Sequence, residues 1–544
     1  MANSLVLGDI QLKADVLVIG GGPAGTWAAI TAASKGAKVI LADKGYCGSS
    51  GATAPSGTGV WYVKPDARLR DEAKASRYEM GGRLAEHRWM DRVLDRTFAN
   101  MNWLGEVGYP FPRDDQGELY KKGLQGPEYM RLMRKLVKKA GVKIMDHSPV
   151  LELLVDEHGV GGASGVHIQT NEKWTVQAGA VVIATGGCAF LSKALGCNVL
   201  TGDGYLLAAE TGAELSGMEF SNAYAISPTF SSVTKTAYYS YANFYYEDGT
   251  PVEGAGSKRG RSIIARKLLE GRQVYAKLDQ APQDIQQLLR INQTNFFLPF
   301  DRKGINPFTD LFPVTLRLEG TVRGTGGIRI VDESCATSVP GLYAAGDAAT
   351  RELICGGFTG GGSHNAAWAM SSGSFAGEGA AAYVKKLGPH AAERTLRSAS
   401  SAQHATAIDQ TGGLSTANKT EEIIHAVQDE VAPYDKNLFR SAGNLQASLQ
   451  RLDELWKEQR NRAVIEPSSL GMKSREAMAM TATARWMYNS ALARTETRGM
   501  HKREDYKSLD ENQHYRLVSG GLDHIWVKPE AVQEQALVKE GEAV

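Results

Sequence analysis

Residues 14–43 constrain the fold of this chain more than any other stretch, because three features of a βαβ unit agree there. A continuous apolar run at 16–19 suits a strand that is buried on both faces of a parallel sheet. Gly20, Gly22 and Gly25 follow as a GxGxxG pattern that opens an alanine-rich segment. The first glycine permits a tight turn, the second lets a pyrophosphate approach the backbone, and the third lets the helix pack closely on the strand. The pattern predicts a dinucleotide-binding unit.

An acidic residue completes this unit. Asp43 follows a second apolar run at 38–42 and lies about 20 residues after the glycines, where a carboxylate can bind a ribose hydroxyl. A glycine-rich turn with a purely structural role is the alternative. The agreement of strand, glycines, helix and carboxylate favours the nucleotide site.

The composition excludes several classes of function. A chain of 544 residues is too long for one compact core, so we expect several domains. The 61 basic and 60 acidic residues leave no overall field that would attract nucleic acid or an anionic membrane. The five cysteines form no CxxC pair, so we expect no metal or iron-sulfur site. Neither a signal peptide nor a transmembrane pattern is recognisable, and we expect a cytoplasmic protein without direct membrane insertion.

Two later glycine motifs also follow apolar runs. Ala184, Thr185 and Gly186 come directly after the run at 181–183, and the pair Gly346 and Asp347 ends another run. Both places resemble two-dinucleotide flavoproteins, in which an ATGG segment lies near the FAD adenosine and a late GD pair holds the ribityl chain. The resemblance implies FAD as the dinucleotide. Ordinary turns at strand ends are the structural alternative.

Seven motifs occur in the order found in the fumarate reductase and succinate dehydrogenase flavoprotein family, over roughly residues 12–510. They are SSGATAPSG at 49–57, ATGG at 184–187, TGDGYLLAAETGAELSGMEF at 201–220, GRSIIARKLLEGRQVYAKLD at 260–279, GTGGIRIVD at 324–332, GLYAAGDA at 341–348 and ARTETRGMHKREDY at 493–506. The chain therefore resembles that family along most of its length. The segment WAMSSGSFAGEG at 368–379 is most similar to the alpha subunit of adenylylsulfate reductase.

The resemblance implies an α/β fold in which a Rossmann-like, two-segment FAD-binding domain is interrupted by an α+β capping domain and followed by a helical domain. The expected bounds are 1–225 and 318–390 for the FAD-binding domain, 226–317 for the capping domain, 400–515 for the C-terminal helical domain and 516–544 for a tail that no motif places. Apolar residues at spacings of four, three and four between 445 and 456 independently predict a helix in the third domain. The tyrosine-rich segment 238–246 predicts a strand that enters a hairpin in the cap.

The resemblance also implies which residues bind FAD. The cofactor is expected to be noncovalent, because the segment 49–53 has no histidine where some family members carry a flavin-linked one. A helix beginning near Ser374 would direct its N-terminal amides toward the flavin. The implied cofactor-binding residues are Gly20, Gly22, Gly25, Asp43, Lys44, Ser50, Gly51, Ala52, Thr53, Ala184, Thr185, Gly186, Asp203, Gly346, Asp347, Ser374 and Phe375.

Three residues are candidates for catalysis. Arg261 matches the arginine of the family's GRDVVAR motif, which faces the substrate; a structural ion pair is the alternative. His364 has an ordinary pKa suited to a general base near neutrality, and a hydrogen-bonded loop histidine fits the sequence equally well. Trp368 is expected either to stack on substrate or flavin or to pack in the core.

Other positions depart from the family. Ser227, Val322 and a position near Ala369 stand where the reductases carry two histidines and an arginine that bind a dicarboxylate. A succinate-like substrate needs cations at both ends, because bidentate arginine contacts supply most of its recognition. Fumarate or L-aspartate chemistry would therefore require a remodelled site.

The resemblance implies an FAD-dependent oxidoreductase that transfers a hydride or electron pair between an anionic small molecule and FAD. Members of the adenylylsulfate reductase branch pass electrons to a separate iron-sulfur, ferredoxin-like subunit, so such a partner is implied, and an oligomer is compatible with the sequence. A noncatalytic electron-relay subunit is one alternative. A fumarate reductase or L-aspartate oxidase-like enzyme with a remodelled substrate site is the other.

Overall fold

The computed structural model describes residues 9–113, 116–257, 260–359, 363–391, 394–400, 403–404, 413–461, 464–465 and 468–533. Its N-terminal motif forms the centre of the largest sheet, where Val16 lies opposite Val39 on one side and Ala180 on the other, both in parallel register. The strands of this sheet are β1 (Ile10–Ile19), β2 (Val39–Ala42), β5 (Lys143–Met145), β6 (Val150–Asp156), β7 (Gly159–His167), β8 (Glu172–Ile183), β15 (Leu342–Ala344) and β16 (Arg397–Ser398).

The strand order of this sheet is β16-β6-β7-β8-β1-β2-β5, and β15 pairs in parallel with the last residues of β8. The chain thus returns to its first sheet after a long insertion. Around the sheet lie α1 (Pro23–Ser34), α2 (Ala67–Met80), α3 (His87–Glu106), α4 (Gly126–Lys139), α5 (Asp203–Glu210), α9 (Glu352–Cys355), α10 (Ser363–Leu387) and a small antiparallel sheet of β3 (Gly57–Gly59) and β4 (Gly123–Gln125).

The insertion forms an antiparallel sheet with three helices, which is the expected capping domain. Its strand order is β10-β13-β12-β11. The elements are β10 (Ala223–Pro228), β11 (Asn243–Tyr245), α6 (Gly260–Leu269), β12 (Val274–Lys277), α7 (Gln283–Asn292), α8 (Thr294–Lys303) and β13 (Phe312–Gly320).

The tyrosine-rich segment of the cap is only partly the predicted strand. A 3₁₀ helix occupies Tyr238–Tyr241, and β11 is three residues long. Gly249 adopts φ +83° in the turn that follows, and Tyr245 forms a bridge to Pro251 beyond it. The hairpin is therefore short, and β11 finds its main partner in β12.

The C-terminal domain is helical, as expected. Leu445, Leu452 and Trp456 bury one stripe of a helix that packs against its neighbours. The elements are β17 (Gln403–His404), α11 (Gly413–Val431), a π-helix (Tyr434–Leu438), α12 (Ala442–Asn461), β18 (Val464–Ile465) and α13 (Ser469–Ala493).

Residues 516–533 of the expected tail are part of the fold, and residues 534–544 lie outside the described residues. Residues 515–531 form an antiparallel hairpin of β19 (Tyr515–Gly520) and β20 (Trp526–Ala531). Val518 pairs with Ser216 in β9 (Leu215–Ser216), which also pairs with β14 (Gly327–Ile328). This hairpin is therefore attached to the first domain. No helix among the described residues is long and apolar enough to cross a membrane.

Candidate active site

A cavity of about 950 Å³ lies where the three domains meet. Its walls include Gly20 in the loop after β1, Arg261 on α6 of the cap and Met500 in the segment that follows α13. Ligands in this cavity would therefore touch residues that are separated by nearly the whole length of the chain.

The glycine loop is shaped to admit a phosphate group. A Cβ atom built on Gly22 would have no neighbouring atom within 4 Å, whereas one built on Gly25 would lie 1.8 Å from the carbonyl oxygen of Gly20. Asp43 holds the loop, since its carboxylate accepts hydrogen bonds from the backbone N–H of Gly21 at 2.5 Å and of Gly45 at 2.7 Å. Space in front of the loop and close packing behind it fit the diphosphate of FAD at the start of α1.

Most of the implied cofactor residues lie on this cavity. Those that line it are Gly20, Gly22, Asp43, Lys44, Ser50, Gly51, Ala52, Thr53, Ala184, Thr185, Gly186, Asp203, Gly346 and Asp347. Gly25, Ser374 and Phe375 do not belong to its lining. These residues come from four regions of the sequence, at 20–53, 184–186, 203 and 346–347. A dinucleotide bound in an extended conformation would need contacts from several such regions.

Lys44, Asp203 and Asp347 of this set are already paired with opposite charges within the protein, whereas Asp43 accepts hydrogen bonds from backbone N–H groups. The Lys44 ammonium lies 2.6 Å from Asp203 and 2.7 Å from Glu476. Burial lowers its pKa, but these two carboxylates outweigh that effect and raise it. Asp347 accepts a hydrogen bond from Arg351. These side chains offer a cofactor fixed polar contacts rather than an unbalanced charge.

The predicted helix start near Ser374 is wrong. The helix α10 is continuous from Ser363 to Leu387, so residue 374 lies in its interior and its backbone amide is not free. The Ser374 hydroxyl donates to the carbonyl of Met370 at 2.9 Å, and Phe375 lies beneath the Arg92 guanidinium. Alanine and methionine upstream favour the helical conformation, so the helix extends back past the predicted start.

Trp368 is placed in the core and not on the cavity. The side chain is fully buried and meets Trp89 edge to face, with ring centroids 5.9 Å apart. Its indole N–H donates to the carbonyl oxygen of Gly346 at 3.0 Å, while the Ser372 hydroxyl accepts from the N–H of Gly346 at 2.9 Å. Trp368 therefore packs in the core, which is one of the two alternatives that the sequence left open. Its hydrogen bond fixes the turn at Gly346, which lines the cavity.

His364 does not have the pKa of a general base near neutrality. Its ring is fully buried against Trp61, with ring centroids 4.5 Å apart. Burial first, and then the charges of Arg77 and Arg351, lower its pKa to about 3. The imidazole is therefore neutral and weakly basic at physiological pH, and it lies outside the lining of the cavity.

Arg261 faces the cavity from the first turn of α6. It makes no hydrogen bond or ion pair with any residue that the structure describes, so the alternative of a structural ion pair has no partner there. Surrounding protein atoms and, secondly, the charge of Arg323 lower its pKa to about 10. The guanidinium is still protonated at neutral pH, and although the charge of Glu319 acts on it, no carboxylate of the described residues forms an ion pair with it.

A buried glutamate beside Arg261 organises further cations that the sequence analysis did not predict. Glu319 is fully buried; its oxygens lie 2.9 Å from the Lys235 ammonium and 3.3 Å from the Arg323 guanidinium. The Thr234 hydroxyl also donates to it at 2.7 Å. Burial raises the pKa of Glu319, but the two cations outweigh this and hold it at about 2. One carboxylate thus orients two cations that line the cavity.

Comparison with known proteins identifies the family. Residues 15–229 match the family model described as FAD binding domain, and residues 425–537 match the one described as fumarate reductase flavoprotein C-term. The chain belongs to the fumarate reductase and succinate dehydrogenase flavoprotein family. It is an FAD-dependent oxidoreductase, as the motifs predicted, and FAD is its cofactor.

Relatives of several kinds cover nearly the whole chain. One subunit of the fumarate reductase (CoM/CoB) of Methanothermobacter marburgensis is 24% identical over 91% of this chain and 94% of its own. L-aspartate oxidase of Streptomyces coelicolor is 26% identical over 93% of this chain and 91% of its own.

Solved structures share the fold. A quinol fumarate reductase of E. coli superposes with a TM-score of 0.80 at 21% identity, covering 98% of this chain and 100% of the other. An adenylylsulfate reductase of Archaeoglobus fulgidus gives 0.76 at 17% identity, with the same coverage. The predicted three-part architecture is confirmed by these neighbours.

Proposed function

We propose that the chain transfers a hydride or electron pair between an anionic small molecule and noncovalently bound FAD, with Arg261 as the anion-binding residue. The observation that carries this proposal is the protonated Arg261 guanidinium, which faces the cavity and forms no ion pair with a carboxylate of the described residues. FAD supplies reversible hydride exchange at its N5 atom when bound.

The chain's own residues bind and orient the anion. The planar fork of Arg261 can bind one carboxylate through two parallel hydrogen bonds. Arg323 and Lys235 add positive potential beside it, and the ionised Glu319 fixes both side chains in place. The cap that carries Arg261 covers the cavity and lowers the local polarity, which strengthens each of these contacts.

The same cations would stabilise negative charge that develops on the substrate. Arg261 keeps its proton at neutral pH, so its role is to bind and stabilise an anion rather than to titrate. Val322 and Ala369 line the cavity where the family has cationic residues. The substrate would therefore meet a different arrangement of charges from that expected for a four-carbon dicarboxylate in the reductases.

Electrons would reach or leave this chain through a separate iron-sulfur, ferredoxin-like subunit. Several relatives are named as subunits, which supports an assembly of more than one chain. The five cysteines of this chain are single buried thiols, and no group of metal-binding side chains occurs among the residues described by the structure. A cluster for one-electron transfer would accordingly belong to the partner.

The test is anaerobic flavin spectroscopy of the holoenzyme and of Arg261→Gln. Dithionite-reduced enzyme is mixed with fumarate, crotonate and adenylylsulfate, and oxidised enzyme with succinate, L-aspartate and sulfite, while the absorbance near 450 nm is followed. We expect at least one anion to react, and Arg261→Gln to slow that reaction by about 100-fold, since a charged hydrogen bond contributes about 1.5–3 kcal/mol.

Lys267→Gln is the matched control, because this cation lies on the same helix and pairs with Glu270 at the surface. It should leave the reaction unchanged. Equal rates in wild type and Arg261→Gln would refute the role of Arg261. Reduction by dithionite with no response to any of the anions would favour the noncatalytic electron-relay subunit instead.

A further inference from the structure

Arg77 is a second guanidinium that lines the cavity without an acidic partner. It lies in the last turn of α2, and its side-chain hydrogen bond is to the sulfur of Met80 at 3.6 Å. No carboxylate among the described residues contacts it. Lys44 and Lys235, in contrast, each lie within 3 Å of a carboxylate. Arg77 and Arg261 are therefore the cavity arginines whose charge the protein leaves unbalanced.

Two hydrogen bonds connect the turn that follows Arg77 with the backbone of Arg323. The last turn of α2 continues into Gly81, whose carbonyl accepts from the N–H of Gly357 at 2.8 Å. Two residues further on, the Thr359 hydroxyl donates to the carbonyl of Arg323 at 3.1 Å. The short segment 357–359 thus connects the surroundings of Arg77 with those of Arg323 and Glu319.

After the ion pairs within the protein are counted, the cavity keeps positive charge for anionic ligands, which include the diphosphate of FAD. Two of its acids are neutralised within the protein, because Asp203 contacts Lys44 and Asp347 contacts Arg351. Lys235 and Arg323 share the buried Glu319, so Arg77 and Arg261 are the lining arginines that no carboxylate among the described residues contacts directly.

We propose that Arg77 binds a second anionic group of the substrate, so that the substrate carries two anionic groups. This inference rests on the proposed function, in which Arg261 binds the first. Val322 and Ala369 are apolar at the places where the family supplies cations for the second group. Arg77, from a different helix, takes over that role in a new position and thereby selects the separation of the two charges.

The test measures binding of matched probes to the oxidised holoenzyme by flavin difference absorbance at constant ionic strength. Each dicarboxylate is compared with the monocarboxylate in which a methyl group replaces one carboxylate. The pairs are succinate and butyrate, glutarate and valerate, and adipate and hexanoate. We expect the wild type to bind the dicarboxylate of at least one pair about tenfold or more tightly.

Arg77→Gln should abolish that ratio while it leaves monocarboxylate binding within about twofold of wild type. Arg77→Lys should retain part of the ratio, since it keeps the charge and loses the fork. Arg68→Gln is the control on the same helix, where the side chain is exposed and pairs with Glu72. It should retain the full wild-type ratio.

Three results would overturn the inference: no dicarboxylate advantage in the wild type, an advantage that survives in Arg77→Gln, or weaker FAD binding by Arg77→Gln while its flavin-replete fraction keeps the probe ratio. The last result would assign Arg77 to the cofactor. Failure of the proposed function is distinguishable, because Arg261→Gln should weaken both members of each pair. If it weakens neither, the proposed function fails; if it weakens both and Arg77→Gln retains the ratio, this inference alone fails.

Discussion

Glu352→Gln should make the stability of this protein less dependent on pH. Glu352 is fully buried, its carboxylate accepts a hydrogen bond from the Ser216 hydroxyl at 2.5 Å, and burial followed by the charge of Glu219 raises its pKa to about 8. The native state therefore keeps a proton that the unfolded chain releases above about pH 4.5. The stabilisation is fully present below that pH and is lost as the pH rises through about 8.

The size of this pH dependence follows from the one proton that the native state binds and the unfolded chain releases. Between about pH 5 and 8 the group contributes a fall of about 1.4 kcal/mol per pH unit, or about 3 kcal/mol over two units. Glutamine resembles the protonated acid and removes this slope. The difference in Tm between Glu352→Gln and wild type should therefore increase by a few degrees from pH 5.5 to 8.5.

Thermal unfolding followed by circular dichroism across this range, at constant ionic strength, measures the difference. Glu270→Gln makes the same chemical change at the surface, where the carboxylate pairs with Lys267, and should show no such trend. A difference between Glu352→Gln and wild type that stays constant with pH would refute the reasoning, because it would mean that Glu352 is ionised throughout.

Two further predictions concern cofactor binding. Gly22→Ala should keep the Tm of the apoprotein but lose FAD, because its new methyl group occupies the open space in front of the loop. Gly25→Ala should lower both the apoprotein Tm and the flavin content, since its methyl group would collide with the Gly20 carbonyl. Apoprotein melting and flavin content distinguish the two variants, and an FAD-replete Gly22→Ala protein would contradict this account. Trp368→Phe should weaken FAD about tenfold by leaving the Gly346 carbonyl without its donor, as measured by flavin titration of apoprotein, and unchanged affinity would exclude that positioning role.

The parts of the site that are local in sequence could be predicted. Gly20, Gly22 and Asp43 lie within one βαβ unit, where spacing alone determines which groups meet at the end of the strand. The same holds for the later glycine turns, because each follows a recognisable buried strand. Spacing alone therefore predicts a dinucleotide site, whereas FAD and the fold class follow from the resemblance to the family.

Other parts depend on contacts between distant segments. Lys235 and Arg323 are 88 residues apart in numbering and meet only because β13 returns beside the start of the cap to place Glu319 between them. The start of α10 differs from the prediction because family similarity at Ser374 does not mark a helix boundary, and the residues upstream favour helix. The pKa of His364 reflects burial against Trp61, which no pattern of neighbouring residues indicates.

The cavity is bounded by residues from both ends of the chain, with Gly20 on one side and Met500 on the other. During synthesis the glycine loop would emerge long before the segment that completes its enclosure, and domains generally fold as they leave the ribosome. Tight retention of the coenzyme would accordingly be acquired late, so a nascent or C-terminally shortened chain could fold its first domain and still release its flavin. The yellow colour of retained flavin in the purified protein would then indicate that the C-terminal segment has been synthesised and folded.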